Sequence, residues 1–188
     1  MFQNNNVWTE AGEHHKMFGQ ARMPDRCVDL ELTLEQLCHA HTVRCTIQRR
    51  VEDEWQRSTT HEVPVEIPVK AGWRAGTKVT FEAHGDETFL RAAGNVVFVV
   101  KELPHGVYRR RGADLRMRAT ISLEQALSGG SVEFIDIVSG ARRRTSFGPL
   151  ASSTETLRVP KYGMPVLNSD NERGELIVKF RIVLKEMK

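Results

Sequence analysis

The chain of 188 residues is 40% hydrophobic, 27% charged and 7% aromatic, and 27 Lys plus Arg against 24 Asp plus Glu leave a formal charge of +3. Such a composition fits an ordinary globular chain of one or two domains, long enough to bury roughly 70% of its unfolded surface without staples. Mean hydropathy is −0.40, and no apolar run approaches the roughly 20 residues of a membrane span, so membrane and collagen-like classes are excluded.

In chain order, residues 1–26 read as a tail or linker. Asn4-Asn5-Asn6, Gly12, His14-His15, Gly19 and Pro24 interrupt any period, and the start lacks the basic and apolar stretches of a secretory signal. From Cys27 the pattern turns to strands. Val28, Leu30 and Leu32 alternate with Asp29, Glu31 and Thr33, the period of two of a half-buried strand. Leu34 to Leu37 is one or two helical turns with Thr33 as N-cap. Val43, Cys45 and Ile47 mark a second strand, and Val63, Val65, Ile67 and Val69 a third. Pro64 and Pro68 put that third strand at a sheet edge, or pair it on one side only. After the turn Ala71 to Gly76 a strand runs from Lys78 to Phe81, and the apolar run Val96 to Val100 predicts a central strand. Helix content should be low.

The second half repeats the first. Thr33-Leu34-Glu35-Gln36 matches Ser122-Leu123-Glu124-Gln125 at an offset of 89, which holds through Thr42-Val43 against Ser131-Val132. Gly85 and Gly94 to Phe98 parallel Gly163 and Gly174 to Val178 at offsets of 78 and 80. Matches in the same order predict duplicated units. The fold class expected is mainly β, with two tandem β-sandwich domains over 27–104 and 105–188 and short helices.

Motifs for chemistry are few. No nucleophile elbow, phosphate loop, dinucleotide turn or zinc-protease helix is present, so the chain is read as no enzyme, with no catalytic residue and no cofactor. Cys38-His39-Ala40-His41 with Cys45 offers donors that zinc prefers, but the spacing fits no structural zinc motif. The repeat partners of Cys38 and Cys45 are Leu127 and Phe134, so both cysteines read as small core hydrophobes and no metal is expected. Three cysteines with Cys27 make no disulfide framework and point to a reducing, cytoplasmic compartment. Arg109-Arg110-Arg111 and Arg142-Arg143-Arg144 read as solvated loop faces. Nucleic acid is not expected as a partner, because recognition helices and aromatic companions are missing, apart from Tyr108.

At Pro104-His105-Gly106-Val107-Tyr108-Arg109-Arg110-Arg111-Gly112-Ala113-Asp114-Leu115 the chain resembles the domain junction of the C-terminal peptide-binding region of DnaJ-type co-chaperones. Ala71-Gly72-Trp73-Arg74-Ala75-Gly76-Thr77-Lys78 resembles that family's K-x-G-W-x-x-G-T-K turn, and further matches follow in order to about residue 184. None of the zinc-binding class's C-x-x-C-x-G-x-G motifs is present, so the resemblance is to the zinc-free type II (class B) members. It implies a client- or peptide-binding module that holds unfolded or extended polypeptide for a DnaK-type heat-shock chaperone. Two of the family's parts are not found: the sequence is read as having no J domain in this chain, and a monomer is expected because the C-terminal dimerisation segment is absent. Carried over residue by residue, the peptide groove is Val28, Leu30, Cys45, Ile47 and Tyr108, each of which core packing would also explain. The family's lysines for the partner's acidic tail correspond to Val43, Thr46 and Glu62, which leaves Arg44 and Arg49 as candidate tail contacts. The alternative reading is a dedicated β-sandwich adaptor for one protein partner.

Overall fold

The computed structural model describes residues 21–152, 154–169 and 171–183. Elements follow in the order β1 (Arg26–Leu32), α1 (Leu34–Cys38), β2 (His41–Glu52), β3 (Ser58–Val69), β4 (Lys78–Phe81), β5 (Val96–Glu102), β6 (Arg109–Arg111), β7 (Asp114–Ser122), α2 (Leu123–Ser128), β8 (Gly130–Ile135), β9 (Arg142–Phe147), β10 (Thr156–Val159) and β11 (Leu176–Val183). The fold is mainly β, as the alternating patterns require.

The two halves repeat one topology. In the first, β5 lies between β1, to which it is parallel, and β4, to which it is antiparallel. In the second, β11 sits likewise between β7 and β10, and β6 is added outside β7. Each half adds a separate antiparallel hairpin, β2-β3 and β8-β9. The apolar run Val96 to Val100 of β5 and the shorter one Leu176 to Val178 that opens β11 explain their central places, because a strand covered on both sides needs no polar face there. The repeated Thr-Leu-Glu-Gln and Ser-Leu-Glu-Gln segments are capping boxes. Gln36 N–H donates to Thr33 Oγ1 at 3.3 Å and Thr33 N–H to Gln36 Oε1 at 2.9 Å; Ser122 and Gln125 do the same at 3.1 and 3.0 Å.

One buried cluster runs through both halves, from Leu32, Leu37, Ile67 and Val96 to Leu115, Met164 and Leu176. Polar contacts cross the same seam. Arg110, its side chain 4% exposed, donates to the carbonyls of Trp73 (2.7 Å) and Gly72 (3.1 Å) and pairs with Glu102 at 3.3 Å. Arg109–Arg111 is therefore a strand whose middle side chain is buried, not the solvated loop expected. A short strand sends alternate side chains to opposite faces, and here the middle one meets a cluster of unpaired carbonyls. Arg142–Arg144 open strand β9 with their side chains exposed. Gly72, at φ +84°, has no room for a Cβ, which would fall 2.7 Å from the Pro165 carbonyl oxygen.

Most of the expected tail lies outside the described residues. Of the rest, Met23 N–H donates to the Ala92 carbonyl at 2.8 Å and Asn95 N–H to Asp25 Oδ1 at 3.1 Å. No helix among the described residues is long and apolar enough to cross a membrane.

Candidate functional site

The hairpin β2-β3 has two outer edges of different character. β3 pairs with β2 through Val63, Val65 and Ile67, so Pro64 and Pro68 turn toward its outer edge, where the missing N–H leaves no donor. The β2 edge has no such blunting. At one end the loop after β4 occupies it: Arg50 N–H donates to Asp86 Oδ1 and its carbonyl accepts from Glu87 N–H, both at 2.9 Å, and Glu52 N–H donates to the Glu87 carbonyl at 3.0 Å. Since alternate residues face the same edge, Thr42, Arg44, Thr46 and Gln48 also present their N–H and C=O groups outward. None of those groups has a partner among the described residues. β1 is likewise the outer strand of its sheet.

The expected groove residues divide. Val28 on β1 and Cys45 on β2 are half-buried and pack against the core cluster, while Leu30 and Ile47 are buried within it. Cys45 also lines a shallow cavity of about 190 Å³ with Arg44, Thr46, Pro64, Val65 and Glu66, and burial raises its thiol pKa. Tyr108 is not brought to that cavity. It is 5% exposed, and its hydroxyl donates to the Ile135 carbonyl at 2.5 Å and accepts from the Ile135 N–H at 3.1 Å. The two candidate cations differ in availability. Arg44 is exposed and pairs with Glu66 at 2.8 Å, whereas Arg49 is mostly covered and held by Glu87.

A larger cavity, about 370 Å³, lies against β8 and is lined by Glu35, His105, Val107, Tyr108, Met117 and Glu133 to Ile137, with Gly140. His105 forms its frame. Its Nδ1 accepts from the Val107 and Tyr108 N–H groups at 3.0 and 2.9 Å, its Nε2 meets Glu35 at 3.0 Å, and its ring stacks on Tyr108 at 5.1 Å. Beneath lies Asp136, 5% exposed. Burial raises its carboxyl pKa, but hydrogen bonds from Arg173 (2.6 Å) and Ser139 (2.7 Å), with the Arg173 charge, outweigh that and hold it at about 2. Sequence reading missed this cavity although a signal existed. The offset of 89 carries Val28 onto Met117 and Cys45 onto Phe134, both of which line it.

Among the described residues no group of His, Cys, Asp and Glu could hold a metal ion. Cys38 is 4% exposed beside Met164, with 3.7 Å between the sulfurs, and burial pushes its thiol up to about 12. It is a packing group, as the repeat predicts.

In each half a hairpin packs beside a sheet whose central strand is the apolar one, and in the first half the outer edge of β2 is left unpaired over apolar side chains. The family described as DnaJ C terminal domain matches residues 27–185. Protein psi1 of Schizosaccharomyces pombe is 31% identical over 189 residues, covering 97% of this chain and 50% of that protein. DnaJ homolog subfamily B member 5 of Homo sapiens is 32% identical over 155 residues, 82% of this chain and 44% of that protein. Protein SIS1 of Saccharomyces cerevisiae is 29% identical over 158 residues, with 82% and 43% covered. The chain belongs to the DnaJ C-terminal domain family. It spans half or less of the length of these relatives.

Proposed function

We propose that this chain is the client-holding part of a DnaJ-type co-chaperone: an extended apolar segment adds to the outer edge of β2, within two β-sandwich units over 27–104 and 105–188. The unpaired edge from Thr42 to Gln48 carries the reading, because β3 beside it is blunted by prolines and cannot serve. Main-chain hydrogen bonds give sequence-tolerant affinity, and apolar contact with the Val28, Cys45 and Ile47 region favours unfolded segments. Tyr108 belongs to a different place, against Ile135, so the contact we assign to this groove no longer includes it.

The partner that receives the client is a DnaK-type chaperone in this reading. Arg44 is the available cation for its acidic tail: its pair with Glu66 is exposed, is worth at most about 1 kcal/mol, and can be exchanged for a tail carboxylate. Arg49 stays tied to Glu87. That loss of one cation favours the second reading, a dedicated adaptor that ignores most unfolded chains.

Calorimetric titration with an extended apolar peptide and with an acidic peptide tests this. Thr46→Pro removes an outward N–H without touching the β3 ladder, and the hairpin already accommodates prolines at the facing positions. Client peptide should bind the native chain and lose most of its affinity to Thr46→Pro, and a peptide N-methylated at every residue of its apolar centre, which leaves neither edge able to donate, should not bind. Equal binding of the N-methylated peptide would overturn strand addition. Binding of no apolar peptide would leave the adaptor.

A further inference from the structure

We infer that the solvent face of the second sheet, β10-β11-β7-β6, is a binding surface for the phosphate backbone of an RNA duplex. Strand register builds it. Arg158, Arg116 and Arg109 form one row across the sheet, Lys179 and Arg118 lie in the next, and Arg181 stands beside Thr120 in the third. Leu115, Met117, Leu176 and Val178 turn into the core, so alternation sends these cations to the other side. Arg111 extends the face on β6. Ile177, in the first row between Arg158 and Arg116, is nonetheless buried, the cover that long cationic stems give.

The fold does not demand this charge. The same face of the first sheet carries Asp29 and Glu31 on β1 against Lys101 on β5, which meets them at 3.1 and 3.9 Å. The repeat offsets of 89 and 80 carry Asp29 onto Arg118 and Lys101 onto Arg181, so the second half replaces a balance by one sign. Seven cations there face two carboxylates, Asp114 and Glu175, a surplus larger than the +3 of the whole chain. Both carboxylates are spent: Glu175 pairs with Arg158 at 3.0 Å, and Asp114 accepts the Glu175 N–H at 2.9 Å. The other six cations have no ion pair or side-chain hydrogen bond among the described residues. The Nε of Arg116 is covered without an acceptor, an unsatisfied donor at the centre of the face.

Charge and shape choose the occupant. All but Lys179 of these cations are arginines, whose planar fork grips phosphate oxygens in pairs and sheds water more readily than an ammonium. Alternate residues of a strand stand about 7 Å apart and neighbouring strands about 5 Å, a grid close to the spacing of successive phosphates. No Trp, Phe, Tyr or Leu stands on this face. A single strand would stack its bases on aromatic rings, and a membrane would take an apolar anchor. An acidic polypeptide would seek free main-chain groups, but those of β7 and β11 are consumed within the sheet. A duplex backbone asks only for cations, so it needs neither the recognition helix nor the aromatic companions missing from the sequence. RNA is the duplex expected, since Thr120 and Thr156 stand among the cations and hydroxyls are what meet a 2′-OH. Nothing in this surface depends on the β2 reading.

The test is the anisotropy of a short fluorescein-labelled RNA duplex titrated with the full chain. Binding should weaken about 100-fold between about 50 and 200 mM salt, the slope of about four phosphate contacts. Arg118→Gln combined with Lys179→Gln should weaken it at least about 10-fold and lower the slope by about 2. Both side chains are exposed, so the melting temperature should not move. Lys78→Gln combined with Lys101→Gln, the same loss of charge on the first sheet, should leave binding unchanged. No binding, indifference to Arg118 and Lys179, or an equal loss with Lys78 and Lys101 would overturn the proposal. Tighter binding to phosphatidylserine vesicles or to a polyglutamate peptide would do the same. Equal affinity for the single strand would overturn the duplex, and equal affinity for a DNA duplex would overturn RNA as the occupant.

Discussion

Burial decides which side chains of this molecule can react. Cys27 is exposed, Cys45 half-buried and Cys38 buried with a thiol near 12, and only thiolate attacks an alkylating reagent. Iodoacetamide labelling followed by mass spectrometry should therefore modify Cys27 first, Cys45 more slowly and Cys38 only on unfolding. Early modification of Cys38 would mean that the seam opens in the native state. Asp136 gives a second expectation. Its carboxyl falls from 3.8 to about 2 on folding, so it contributes about 2 kcal/mol of stability at neutral pH. That contribution is full above pH 4 and disappears as pH falls through about 2. Asp136→Asn should flatten the acid limb of the pH–stability curve. A variant as acid-sensitive as the native chain would place the loss on other carboxylates. Tyr108 is equally exposed to test: Tyr108→Phe removes two hydrogen bonds to Ile135 and should cost about 1–2 kcal/mol in urea unfolding.

At the scale of elements, alternation was easy to read and edges were not. Val43-Cys45-Ile47, the prolines of β3 and the run Val96 to Val100 gave strand, facing and central position, because periodicity and proline act locally. Thr33 and Gln36 gave the helix start for the same reason. The candidate site was only half legible. Which strand edges stay unpaired depends on the loop Asp86-Glu87 reaching Arg50, and the place of Tyr108 depends on Ile135, 27 residues away. No local pattern carries either. Arg110 failed for a related reason: three arginines look solvated until carbonyls from Gly72 and Trp73 are brought beside the middle one. The capping boxes admit a test at this scale. Thr33→Ala should cost about 1 kcal/mol by thermal unfolding, and Ser122→Ala about the same. A much larger loss at Thr33 would show that α1, whose Leu34, Leu37 and Cys38 are buried, needs its cap to hold the core.

For the whole molecule, the question is whether the repeated halves unfold together. Their hydrophobic clusters are one, which favours a single transition, but duplicated units with their own sheets could also melt separately. Polar contacts cross at His39 to the Val138 carbonyl and at Glu35 to His105, but the most deeply buried is Arg110, whose charge is compensated by Glu102 and two carbonyls in a nearly dry setting. Arg110→Met keeps most of the apolar stem and leaves those acceptors unpaired. Removing one partner of a buried pair costs about 3–5 kcal/mol; here Glu102 retains some contact with water, so about 3 kcal/mol is expected. Scanning calorimetry distinguishes the outcomes. If Arg110 couples the halves, the native chain shows one transition and Arg110→Met shows two, with the half containing β6 melting earlier. If the variant keeps one transition at lower temperature, coupling lies in the apolar seam of Cys38, Met164 and the close approach of Gly72 to Pro165. Gly72→Ala, which forces that approach apart, should then be the substitution that divides the curve.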